Sequence, residues 1–453
     1  MRRLTSAVVA FSAVILLAGA RRRVVSPHPP LNLDLHRSFA ITDQAILDGF
    51  SFERVMKAIV ERSGTRTTAL RLYQQMFDTQ NPKPGRVVAD APHCDDAVFN
   101  GLPRRCPTAE GALATTDPFA AREYMPLALL NRFDLTPVDG SNCGQYRIIF
   151  AKKTQLPLDR VHLIFEAVLP NPTPSSGLAG CRAVAEFWAG LTAIDSISQR
   201  RAELERFFFT GMAGFEPVFD PSHYSLARGG SIRSLHSSLL TAQLYRFYQF
   251  RLVNRGDALL AEPDALENNP WGRFFDGSND TAIARAFRED FVRHVATLAI
   301  RDVNLYFMNV PREFLLSEAD PISGEVDLAF LRGLATPDGQ EFSRRITAEL
   351  TRIGSTLTPR DIVARAYTQS CVGCHFSSRS VGESVVFPRS IEPFQHVSEQ
   401  FVEQGEAGPR FSISPAMRDV FIPHRMEILR RFLASDMPPV HSNGTIGGGR
   451  AVQ

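Results

Sequence analysis

The sequence predicts an α+β protein: a large N-terminal body of mixed strands and helices, followed by a small all-α domain. Three observations carry this expectation. β-Branched and aromatic runs alternate with amphipathic helical stretches, but without the strict strand–helix–strand rhythm of a parallel sheet. A helix-start signature at Thr358, Pro359 and Asp361 opens a new segment near the end of the chain. A second helical stripe, roughly 417–434, closes that segment, and the chain between the two reads as irregular.

Taken in order, Arg2 and Arg3 precede an apolar run from Leu4 to Ala20 that ends Ala18-Gly19-Ala20, the layout of an export signal. Arg21, Arg22 and Arg23 follow at once, which is unfavourable just after a cleavage site, and the run approaches bilayer-spanning length. Residues 1–23 are therefore read as an export signal or an uncleaved N-terminal anchor, and 24–34, rich in proline, as a linker. The body is expected over 35–345. Residues 42–77 read helical, and within them the segment from Phe52 places Phe52, Val55, Met56, Ile59 and Val60 on one face and stops near Gly64. Residues 80–118, with Cys94 and Cys106, read as a long irregular segment.

Strands follow at 145–150 and 160–170, as a hairpin around a loop with Lys152, Lys153 and Pro157. Two helices come next, over 181–194 and 198–211. Residues 231–253 read as extended, with Leu244, Tyr248, Phe250 and Leu252 sharing one parity and Arg246 as an exception among them. Ile283, Phe287, Phe291, Val295 and Leu298 recur at helical spacing over 281–298. After the body, 356–436 forms the all-α segment and 437–453 a flexible tail.

The chain has 453 residues, 44% hydrophobic and 22% charged, enough to fill ordinary globular cores. A net charge of +2 is too small to imply a nucleic-acid partner. Lysine stands only at positions 57, 83, 152 and 153, so arginine supplies nearly all the positive charge. Six cysteines fit an oxidising compartment. Cys94, Cys106, Cys143 and Cys181 allow three pairings, of which the local pairs Cys94–Cys106 and Cys143–Cys181 are the simplest.

Cys371 and Cys374 stand apart, because His375 follows them directly. C-x-x-C-H is the attachment signature of c-type haem. Two thiols add across the porphyrin vinyl groups, the two intervening residues let one turn reach both, and the adjacent imidazole binds iron from below. A thioredoxin-like pair wants a strand before it, and zinc wants a second pair of ligands; neither pattern is present.

Residues 356–436 resemble the c-type cytochrome family in this motif and in layout. The resemblance implies a helix running into the cysteines, a closing helix packed across it, and one covalent haem c held by Cys371 and Cys374 with His375 on the iron. It also implies a methionine before the final helix as sixth ligand, and Met417 stands there, after Pro415. His396 is the alternative; Met437, or an open position, completes the set. A methionine ligand gives a higher potential than a second histidine.

The body carries no nucleophile elbow, zinc-protease motif, P-loop or dinucleotide fingerprint. His93, Asp95 and Asp96 cluster beside Cys94 and read as a loop near a disulfide, while His162 and His236 fall within predicted strands. The resulting expectation is an exported, periplasmic or extracellular monohaem protein that transfers electrons to an unidentified partner protein, touching membrane only through its N-terminus. Alternatives are a haem-dependent oxidoreductase whose body binds substrate, and a non-catalytic haem sensor.

Overall fold

A computed structural model describes residues 31–89, 91–96, 101–102, 104–153, 159–238, 243–319, 334, 339–370, 373–374, 396–435 and 445. The expected export segment lies outside them. Its centre is one antiparallel sheet of eight strands: β1 (Ala40–Ile41), β2 (Tyr124–Arg132), β3 (Asn142–Lys152), β4 (Asp159–Pro170), β5 (Ser231–Ser238), β6 (Gln243–Arg255), β7 (Ala258–Asp264) and β8 (Glu318–Ala319). β1 to β7 pair in chain order, and β8 adds to the edge of β6 beyond the end of β7. The described residues from Asn32 onward form one compact unit.

Alternation of side chains gives the sheet two unlike faces. Tyr146, Ile148, Phe150, Leu163, Phe165, Ile232, Phe250 and Leu252 point to the apolar face, all buried. Helices cover it, among them α3 and α4, after the short α1 (Leu35–Ser38) and α2 (Gln44–Leu47). α3 (Phe52–Arg62) starts where Ser51 accepts the Arg54 N–H, and it buries the five apolar residues its sequence pattern marks. Gly64, at φ +66°, lies just past its end in a conformation glycine adopts without strain. α4 (Ala69–Asp78) stands beside α3. α5 (Arg182–Gly190) stacks Trp188 on Tyr146, ring centroids 5.5 Å apart, and α6 (Ile197–Glu205) runs into a wide turn that sets Phe207 edge-on to both rings.

The opposite face is polar and still buried. Arg147 reaches Glu166 at 3.0 Å, Arg233 reaches the other oxygen of Glu166 at 3.0 Å, and Arg251 reaches Asp264 at 2.6 Å. Strand register makes this ladder: Arg147 stands opposite Glu166, Arg233 opposite Gln249, and Gln249 opposite Asp264. Buried charges persist only when paired in this way. The chain after β7 supplies further partners, Arg312 to Asp264 and Glu399 to Arg160 and His162.

Beyond the sheet lie α7 (Ala282–Arg293), α8 (Val295–Leu298), α9 (Gly339–Arg352), α10 (Pro359–Tyr367) and α11 (Ile422–Ser435). No helix among the described residues is long and apolar enough to cross a membrane. Both local disulfides are formed, Cys94–Cys106 and Cys143–Cys181, each with Cα atoms 5.2 Å apart.

The expected all-α character of the C-terminal segment is overturned. Between α10 and α11 the chain forms an antiparallel hairpin, β9 (Val397–Gly405) with β10 (Gly408–Ile413). Its pattern hides it: Phe401 and Val402 are exposed while Glu399 is largely buried, so apolar and polar residues do not alternate with burial. Distant partners hold the hairpin instead. The Phe411 N–H donates to the Thr42 carbonyl at 3.1 Å, and Glu399 pairs with Arg160. The last helix also departs from the expected packing. Its principal neighbours are α5 and the turn at 133–135, where Phe432 meets Phe133 at 4.8 Å. Of the expected flexible tail only Thr445 is described, bridging to Pro137.

Candidate functional site

α10 is the element that delivers the cysteine motif. Thr358 accepts the Asp361 N–H at 3.2 Å, and the Asp361 carboxylate accepts the Thr358 N–H at 2.7 Å, a reciprocal cap. Ile362, Val363, Ala366 and Tyr367 are buried, as the stripe requires. Arg365 is buried too, although nothing in the apolar stripe marks it. Its guanidinium donates to the carbonyls of Leu298 and Ile300, both at 2.7 Å, and lies 5.1 Å from the Tyr306 ring, tying α10 to the end of α8.

At the end of α10 the backbone turns tightly. Ser370 Oγ donates to the Tyr367 carbonyl at 2.8 Å and accepts the Gly373 N–H at 3.0 Å, while the Cys374 N–H donates to the Ser370 carbonyl at 2.9 Å. A Cβ on Gly373 would stand 1.8 Å from the Tyr367 carbonyl oxygen, so only glycine fits at this position. Cys374 is buried within the apolar core and belongs to neither disulfide. Cys371 and His375 lie outside the described residues.

The two candidate sixth ligands share one corner. Met417 is fully buried and opens a wide turn, Met417–Phe421, that feeds α11; its N–H donates to Ser414 Oγ at 3.3 Å. The Ser414 N–H donates to the carbonyl of half-buried His396 at 3.3 Å, just before β9. Met437 lies outside the described residues. Cys374 and Met417 hang from different supports, since α10 packs chiefly on α8 and α9, and α11 on α5 and the 133–135 turn. Among the described residues no cluster of three or more histidine, cysteine or acidic side chains is assembled for a metal ion. Among the described residues, Cys374 offers a buried sulfur in apolar surroundings and Met417 a buried thioether, the donor types the haem expectation calls for.

The body's histidines have other surroundings. His93 is fully buried 3.9 Å from Asp78, while Asp95 and Asp96 organise the loop, accepting the backbone N–H groups of Lys83 and His93. His162 stands 3.5 Å from Glu399; burial opposes ionisation there, but hydrogen bonds from His162 and Arg160 hold the Glu399 carboxyl down at about 2. His236 is the most chemically organised. Its Nδ1 is 2.7 Å from the buried carboxylate of Glu110, whose second oxygen accepts from Arg246 at 2.9 Å. Burial works against the Glu110 charge, yet His236 and Arg246 together hold its carboxyl at about 2. Arg246, the break in the strand's apolar parity, is explained by this partner. Sequence reasoning missed Glu110, whose surroundings (Ala109, Gly111, Ala112) carry no motif.

No family model, curated protein or solved structure matches the chain.

Proposed function

We propose that this chain is an exported monohaem c-type cytochrome that passes electrons to a partner protein. The observation that carries the reading is the Cys371-x-x-Cys374-His375 motif at the foot of a capped helix, with Cys374 buried in an apolar setting. Two disulfides suit the oxidising compartment in which such a motif receives its cofactor. Bound haem supplies a one-electron iron couple. Cys371 and Cys374 would hold it covalently, His375 would ligate the iron, and buried Met417 is the first choice for a second ligand, ahead of His396. The apolar residues around Cys374 exclude water from the linkage.

A pyridine haemochrome assay on protein made with the haem-attachment machinery tests this, together with the mass of the intact chain. One haem per chain, lost in Cys371→Ala and Cys374→Ala, supports the reading; a chain weighing no more than its amino acids refutes it. A methionine-sulfur charge-transfer band that disappears in Met417→Ala assigns the sixth ligand, and a low-spin spectrum without the band assigns His396.

The Glu110–His236–Arg246 arrangement favours a second reading, a haem-dependent oxidoreductase whose body carries the substrate chemistry. A carboxylate on Nδ1 orients the imidazole and raises its basicity, which suits proton abstraction at Nε2. Under this reading His236→Gln abolishes substrate-driven reduction of the haem and leaves the dithionite-reduced spectrum unchanged.

A further inference from the structure

Among the described residues, one buried guanidinium on the polar face of the sheet lacks a carboxylate within hydrogen-bond reach. Arg132, Arg147, Arg233, Arg251 and Arg425 are each at most 6% exposed. Among the described residues, the carboxylates that meet them are Asp134, Glu166, Asp264 and Glu267. The first four arginines each reach a carboxylate oxygen within 3.2 Å. Arg425 does not.

α11 carries Arg425 inward, where it is 3% exposed. Its Nε stands 4.0 Å from Asp134, beyond hydrogen-bond reach, and that carboxylate is already gripped by Arg132 through contacts of 2.8, 3.0 and 3.2 Å. The Nη2 of Arg425 is buried with no hydrogen-bond partner among the described residues. Burial pushes this guanidinium's pKa well below its ordinary value, the charges of Arg132 and Arg147 push the same way, and Asp134 opposes them. A lone buried cation is among the most expensive groups a fold can hold.

We infer that Arg425, beside the Arg132–Asp134 pair, forms a buried binding site for a single carboxylate. A single guanidinium with no acceptor in reach among the described residues calls for one negative charge, which a carboxylate supplies with two oxygens for its planar fork of donors. The carboxylate has two sources, a propionate of the bound haem or a free small carboxylate. Only the first rests on the haem reading above.

Thermal melting of the full chain tests the site, with sodium acetate replacing sodium chloride at constant ionic strength. The chain is compared in its haem-loaded form and in a haem-free form made without the attachment machinery, each as wild type and as Arg425→Met. The expected result is a saturable rise in melting temperature with acetate in the haem-free wild type and none in Arg425→Met, which melts above wild type in chloride. A haem-loaded form that ignores acetate assigns the site to a propionate; one that responds assigns it to a free carboxylate. The inference is overturned if haem-free wild type ignores acetate or if Arg425→Met responds equally. Should no haem attach, the haem-free comparison still decides the site, so failure of the haem reading and failure of this one are distinct.

Discussion

Replacing Glu110 by glutamine removes one negative charge from between His236 and Arg246 and keeps the side chain's shape. The carboxyl is almost wholly buried and sits at about 2 in the fold, against an ordinary 4.5. That gap corresponds to about 3 kcal/mol of folding stability at neutral pH. A depressed carboxyl contributes stability that is complete above its unfolded value and lost as pH falls towards its folded one. The wild type should therefore exceed Glu110→Gln by about 3 kcal/mol at pH 7 and by only about 2 kcal/mol at pH 3.5, narrowing further towards pH 2. Urea melts followed by circular dichroism at several pH values measure the difference, and subtraction removes the similar contributions of Asp134 and Glu399. A gap below 1 kcal/mol at pH 7, or one that stays constant with pH, refutes the reasoning.

Further outcomes follow from the same geometry. Gly373→Ala drives a methyl into the Tyr367 carbonyl, so the Ser370 contacts to Gly373 and Cys374 break, at about 1 kcal/mol each, and covalent haem per chain falls sharply while far-ultraviolet circular dichroism is retained. Cys143→Ser with Cys181→Ser opens a link across 38 residues and should cost about 4 kcal/mol in urea melts, against about 3 kcal/mol for the Cys94–Cys106 link across 12. Trp188→Ala removes the ring stacked on Tyr146 and should cost about 3–5 kcal/mol, read from the shift in urea midpoint.

Local signals in the sequence located most elements of the body. Ser51, Gly64 and the Thr358–Asp361 pair act within a few residues, so the bounds of α3 and the start of α10 are legible from neighbours alone. The 145–170 hairpin is legible for the same reason, through runs of apolar strand formers around a polar loop. β9 and β10 are not, because Glu399 is satisfied by Arg160 and the Phe411 N–H by Thr42, partners that no window of sequence contains. The candidate site divides likewise. Cys371, Cys374 and His375 announce themselves by spacing, since their chemistry is local. Glu110 and Arg425 acquire meaning only when folding brings His236 and Asp134 to them.

The charged side of the sheet has a consequence for the order of assembly. Its ladder is complete within 145–264, yet Glu399 and α11 are needed to roof it, and both come from the closing stretch of the polypeptide. The charged face is therefore closed by residues far along the chain from the strands that carry it.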